Sequence, residues 1–156
     1  MPLFVRVSAT DWMENTTLGK NRGSWDIPST IRLAKLLHDL GVDVLDVSSA
    51  GNHPQAAHTV FDAGKEQAAM AARVKEELEK AGKKMIIGTV GEITEAFKAR
   101  DLVQEGYAGS VDLISVGRQF LKEPGWVLKV AQELDVDVAW PQFISRPQIT
   151  QILTKL

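Results

Sequence analysis

The arrangement in this sequence best able to do chemistry is a glycine followed by an arginine, Gly117-Arg118, where the apolar run Val111-Asp-Leu-Ile-Ser-Val116 gives way to an amphipathic segment. Glycine at a strand end lets a ligand come close to the backbone. A helix start offers free N–H groups, and a guanidinium offers a planar fork of donors to an anion. A cation at a helix start is unfavourable unless an anion sits beside it, so Arg118 reads as one wall of a phosphate site. The earlier run Met85-Ile-Ile-Gly-Thr-Val90 ends the same way, in Gly91 before a helix. Two strand ends able to hold one phosphate, Val90-Gly91 and Gly117-Arg118, point to a nucleotide-like cofactor in a β/α barrel. The simpler alternative is that both glycines only make tight turns.

The elements that must position these residues form a strand–helix unit repeated four times. Strands are expected over residues 3–9, 42–48, 85–90 and 111–116, the last covered on both faces because its apolar residues run nearly without interruption. Helices are expected over 27–40, 64–81, 94–105 and 118–134, with a break at Pro124-Gly125. Asp26 and Pro28 are start signals, Gly41 is a stop, and Thr94 is a cap. Residues 10–26 and 49–62 read as loops. An internal echo supports the division. Gly41-Val-Asp-Val-Leu-Asp-Val-Ser48 and Ser110-Val-Asp-Leu-Ile-Ser-Val-Gly117 share the order small-Val-Asp-apolar-apolar-polar-Val-small, about two units apart. Alternating strands and helices imply a parallel sheet. A full (β/α)8 barrel takes about 250 residues, and this sequence has 156, with half the strands.

Composition narrows the field. The chain is one domain, residues 1–156, with an ordinary apolar fraction of 44% and a net charge of −2 spread among both signs. Nothing suggests a nucleic-acid or membrane surface. Without cysteine there is neither a disulfide nor a thiolate metal site. The three histidines, His38, His53 and His58, have no metal-ligand spacing, so no metal is expected. The start, Met1-Pro-Leu-Phe-Val-Arg6, lacks the basic-then-apolar layout of a signal peptide, and a cytoplasmic protein is expected.

Four stretches, in order and at consistent spacing, resemble the C-terminal half of the Old Yellow Enzyme family of FMN-dependent NAD(P)H dehydrogenases and ene-reductases. They are Pro2-Leu-Phe-Val-Arg-Val-Ser-Ala9, Gly41-Val-Asp-Val-Leu-Asp-Val-Ser-Ser-Ala-Gly51, Gly88-Thr-Val-Gly-Glu-Ile-Thr94 and Val111-Asp-Leu-Ile-Ser-Val-Gly-Arg-Gln-Phe-Leu-Lys-Glu-Pro124. The likeness is greatest to the xenobiotic-reductase-like branch. It implies that the chain supplies strands five to eight of a (β/α)8 barrel, binds FMN, and takes NAD(P)H as reductant. It implies Val90, Gly91, Gly117 and Arg118 as the FMN-phosphate site, and Arg6 at the flavin pyrimidine edge, where a guanidinium would stabilise charge on the reduced ring. Read from the residues alone, Arg6 is an inward charge that would pair with a carboxylate such as Asp46. Arg146, in Trp140-Pro-Gln-Phe-Ile-Ser-Arg146, loosely resembles a tail that reaches a neighbouring subunit's active site; the bland reading is a solvated arginine. His53, in the loop after the second strand, is a candidate for the substrate side, although a lone histidine is more often structural.

The resemblance also says what is missing. In the family the N-terminal half carries the substrate-anchoring His-His or His-Asn pair and the proton-donating tyrosine, so no catalytic residue is expected in this chain. Its only tyrosine, Tyr107, falls at the other end of the barrel, and residues 60–80 are rich in Ala, Glu and Lys where the family has an aromatic loop. Three readings follow. The chain is the FMN-binding half of a flavin oxidoreductase passing hydride from NAD(P)H to an activated alkene. It is an inactive assembly module that needs an N-terminal half-barrel or self-association. Or it is a non-redox phosphate-binding barrel enzyme, such as an isomerase or aldolase.

Overall fold

The computed structural model describes residues 1–49, 53, 54, 56, 63–104 and 111–139. Strands β1 (Phe4–Ser8), β2 (Val44–Ser48), β3 (Ile86–Val90) and β4 (Leu113–Ser115) form one sheet in chain order, every pair parallel. Parallel neighbours need a crossover. Here helix α1 (Thr17–Arg22) with α2 (Ile27–Asp39), then α3 (Ala63–Lys80), then α4 (Ala96–Val103) supply the three crossovers, and α5 (Arg118–Lys122) and α6 (Trp126–Glu133) follow β4.

Successive side chains on a strand point to opposite faces, and the register sorts them. Val5, Leu45 and Ile87 share one row, and Val7, Val47, Thr89 and Ile114 the next. This face meets the helices. Ile31 and Ala34 of α2 and Ala71, Val74 and Leu78 of α3 pack on it, and Leu45, Val47 and Ile87 are fully buried. The small and apolar residues of α3 recur every three or four positions, which turns one stripe of a highly charged helix toward the sheet. A second cluster of Ile93, Ala99 and Trp126 lies between α4 and α6 beneath β4.

The opposite face carries Phe4, Val44 and Ile86 in one row and Arg6, Asp46, Gly88 and Leu113 in the next. Its middle residues Val44, Asp46 and Gly88 are buried, while the first row is open at its two ends. Phe4 is 61% exposed and Ile86 46%, whereas parallel sheets are ordinarily covered on both sides.

The internal echo has a structural counterpart. Asp43 accepts from the Leu3 N–H (2.7 Å) and Asp112 from the Ile87 N–H (2.9 Å). The same residue of each copy thus satisfies a backbone donor at the start of the preceding strand.

Three expectations need correction. The loop over 10–26 contains α1, capped by Thr16, whose hydroxyl accepts from the Gly19 N–H at 3.0 Å. The helix expected from Thr94 begins at Ala96, with Glu95 at its cap position. The Thr94 carbonyl is instead taken by the Trp126 indole N–H at 3.0 Å. The fourth strand is three residues long, with Leu113 and Ile114 only half-buried rather than covered on both faces; β4 is the sheet's edge, paired on one side only. The break expected within 118–134 is present: α5 and α6 are separated at Pro124-Gly125, where proline has no N–H to continue the first. Among the described residues no helix is long and apolar enough to cross a membrane.

Candidate functional site

The C-terminal ends of β3 and β4 open into a common cavity of about 540 Å3, whose lining includes Val90, Gly91, Ser115, Gly117, Arg118 and Lys122. That size is within the range of small-molecule sites. All four residues expected at the phosphate are therefore brought together. Gly91 has φ 122°, and Glu92 after it φ 50°; the first is a conformation that only glycine adopts without strain, so the turn needs Gly91. Arg118 is exposed and has no hydrogen bond or ion pair among the described residues. A Cβ built at Gly117 would meet no atom within 4 Å, which leaves the space beside this backbone open.

Three contacts hold the walls of the cavity. Trp126 ties the loop after β3 to α6 through Thr94, and its ring meets Phe120 of α5 edge-on, with centroids 5.7 Å apart. The Lys98 ammonium donates to the Glu92 carbonyl at 2.8 Å and pins the turn after Gly91. Lys122 was not anticipated. It lies four residues after Arg118, a spacing that puts both on one side of a helix, and that signal is present in the sequence. Glu92 and Glu95 also border the cavity, so Lys98, Arg118 and Lys122 leave it with one excess positive charge.

Arg6 is not in the cavity wall. It lies in the open sheet face, where Nε and Nη2 both donate to Oδ2 of Asp46, at 2.7 and 2.5 Å. The carboxylate pairing anticipated from the residues alone is thus present. The Arg6 side chain is nevertheless 56% exposed, and its other N–H groups have no partner among the described residues. The Ser115 hydroxyl, which borders the cavity, donates to the same Asp46 oxygen at 3.2 Å. Arg6, Asp46 and Ser115 therefore form a polar line from β1 across the sheet to the cavity.

The chain matches the model of the NADH:flavin oxidoreductase / NADH oxidase family over residues 2–137. It belongs to that family. It is 37% identical over 139 residues to an NADH:flavin oxidoreductase of Gibberella zeae, 88% of this chain and 32% of that protein. It is 34% identical over 140 residues to an NADPH dehydrogenase of Bacillus subtilis, 90% of this chain and 36% of that one. An NADPH dehydrogenase of Bacillus pumilus is 37% identical over 145 residues, 93% of this chain and 37% of the relative. The chain spans about a third of the length of these relatives. Four parallel strands with intervening helices are consistent with part of the family's (β/α)8 barrel.

The other expected site residues lie elsewhere. His53 is exposed and borders a separate recess of about 330 Å3 with Asp11, Met13, Leu18 and Arg22, at the end of β1. Arg146 and Tyr107 lie outside the described residues.

Proposed function

We propose that this chain is the FMN-binding half of a flavin oxidoreductase that passes hydride from NAD(P)H to an activated alkene. The observation that carries this reading is the cavity at the ends of β3 and β4, with an unpartnered Arg118 and an open Gly117 backbone. In it, Val90, Gly91, Gly117 and Arg118 hold the FMN phosphate. Arg118 donates charge-assisted hydrogen bonds, and the backbone approaches closely at the two glycines. Arg6 presents its free N–H groups to the pyrimidine edge of the ring, where they favour the reduced, more negative form. Bound FMN supplies the hydride-accepting and hydride-donating centre. His53 belongs to the substrate side and Arg146 to a subunit contact.

Residues 1–156 act as one half-barrel domain, equivalent to strands five to eight. The exposed Phe4 and Ile86 are covered by the preceding half-barrel, which brings the proton donor and substrate anchors. Self-association of two copies is the alternative cover. The protein works in the cytoplasm on a small molecule, without nucleic acid or membrane.

Titrating the protein with FMN and with riboflavin tests the phosphate site. Binding of FMN at least tenfold tighter than riboflavin supports it; equal binding of both, or of neither, overturns it. Sedimentation mass, alone and with the half-barrel of a relative, identifies the cover.

A further inference from the structure

We infer that Asp46 is a positioning residue for Arg6, and that it sets how much positive charge Arg6 presents to a bound flavin. The inference rests on the reading of Arg6 as the group at the pyrimidine edge. Asp46 is only 9% exposed, in the middle of the sheet. One of its oxygens, Oδ2, accepts from Arg6 twice and from Ser115, while the other, Oδ1, is buried and without a hydrogen-bond partner among the described residues.

The space for this carboxylate is made by Gly88, its neighbour in the same row. A Cβ there would lie 3.3 Å from Oδ1 and 3.2 Å from Leu113 Cδ2. The row Arg6, Asp46, Gly88 and Leu113 therefore keeps a small residue beside a buried charge. Two effects follow. A guanidinium fixed along its Nε–Nη2 edge keeps its planar fork in one orientation, with the opposite side available to a ligand. The buried carboxylate also draws that edge of the guanidinium toward β2, and more strongly than it would in water, which sets how far the free N–H groups reach toward a ring. Arg6 then binds a ring without over-stabilising its reduced form.

The test is the midpoint potential of FMN in Asp46→Asn, which keeps an oxygen for Arg6 but removes the charge. The reduced form should gain about tenfold in affinity over the oxidised form, a rise of about 30 mV for a two-electron couple. Arg6→Ala should lower the potential. In the Arg6→Ala background, Asp46→Asn should then change it much less, because Asp46 acts through Arg6. Asp46→Ser gives the same reading if the Asn variant does not fold.

An unchanged potential in Asp46→Asn, with a lowered one in Arg6→Ala, overturns the role of Asp46 and leaves Arg6 at the ring. An unchanged potential in Arg6→Ala overturns both. An equal rise with and without Arg6 overturns positioning in favour of direct action of the Asp46 charge.

Discussion

The two faces of the sheet are built from the same strands and have opposite characters. On one, Leu45, Val47 and Ile87 are sealed beneath α2 and α3. On the other, one residue along each strand, Phe4 and Ile86 stand exposed beside a row with an ion pair and a glycine. The covered face carries most of the apolar burial that stabilises the fold. The open face holds the Arg6–Asp46 pair and leaves apolar surface exposed at Phe4 and Ile86. Apolar packing and the buried ion pair are thus separated by the two-residue period of a strand.

Truncation tests this division most strongly. Ile87→Ala or Leu78→Ala, on the covered side, should each cost about 2–5 kcal/mol of unfolding free energy, read from urea titrations. Phe4→Ala should change the stability of the chain alone by no more than about 0.5 kcal/mol, yet weaken its association with a covering half. Equal losses on both faces would end the comparison.

Arg118→Ala comes next. It should weaken FMN binding ten- to a hundredfold, equivalent to about 1.5–3 kcal/mol for a charge-assisted hydrogen bond, and leave riboflavin binding as it was. Fluorescence quenching of the two ligands separates these outcomes.

A smaller effect is expected at the cavity wall. Trp126→Phe keeps a ring against Phe120 but removes the hydrogen bond to Thr94. It should cost about 1 kcal/mol of stability, with a modest loss of FMN affinity as the loop after β3 loosens.

The smallest effect concerns α2. Asp26 caps this helix by accepting from the Ser29 N–H at 2.8 Å, and its hydrogen bonds to Ser29 hold its pKa below 3.8. A carboxylate depressed in the folded state contributes stability above its unfolded pKa, and that contribution is lost as pH falls through the folded value. Stability should therefore decline below about pH 4, and Asp26→Asn, which still caps, should flatten that limb in acid titrations followed by circular dichroism.

Much of this architecture is legible in the residues. Strand periodicity, Asp26 and Pro28 at the start of α2 and Pro124-Gly125 after α5 are local signals, and local signals survive folding. Gly91 and Gly117-Arg118 could be recognised because a strand end followed by a helix is a local geometry too. The start of α4 was not legible, since Trp126, more than thirty residues away, claims the Thr94 carbonyl. Nor was α1, a six-residue helix that depends on the Thr16 cap and on contact with Met13. Lys122 was visible as the fourth residue after Arg118 but carried no meaning until a cavity stood beside it.

The sequence by itself determined the order and direction of the strands, the apolar face of each helix and the two strands that each run into a glycine before a helix. These follow from periodicity, caps and the crossover that parallel strands require. Only the tertiary structure decided that Arg6 is shared between a carboxylate and open space, and that Ser115 links that pair to the cavity. Register decided it, because contacts between residues 40 and 69 positions apart exist only once β1, β2, β3 and β4 lie side by side.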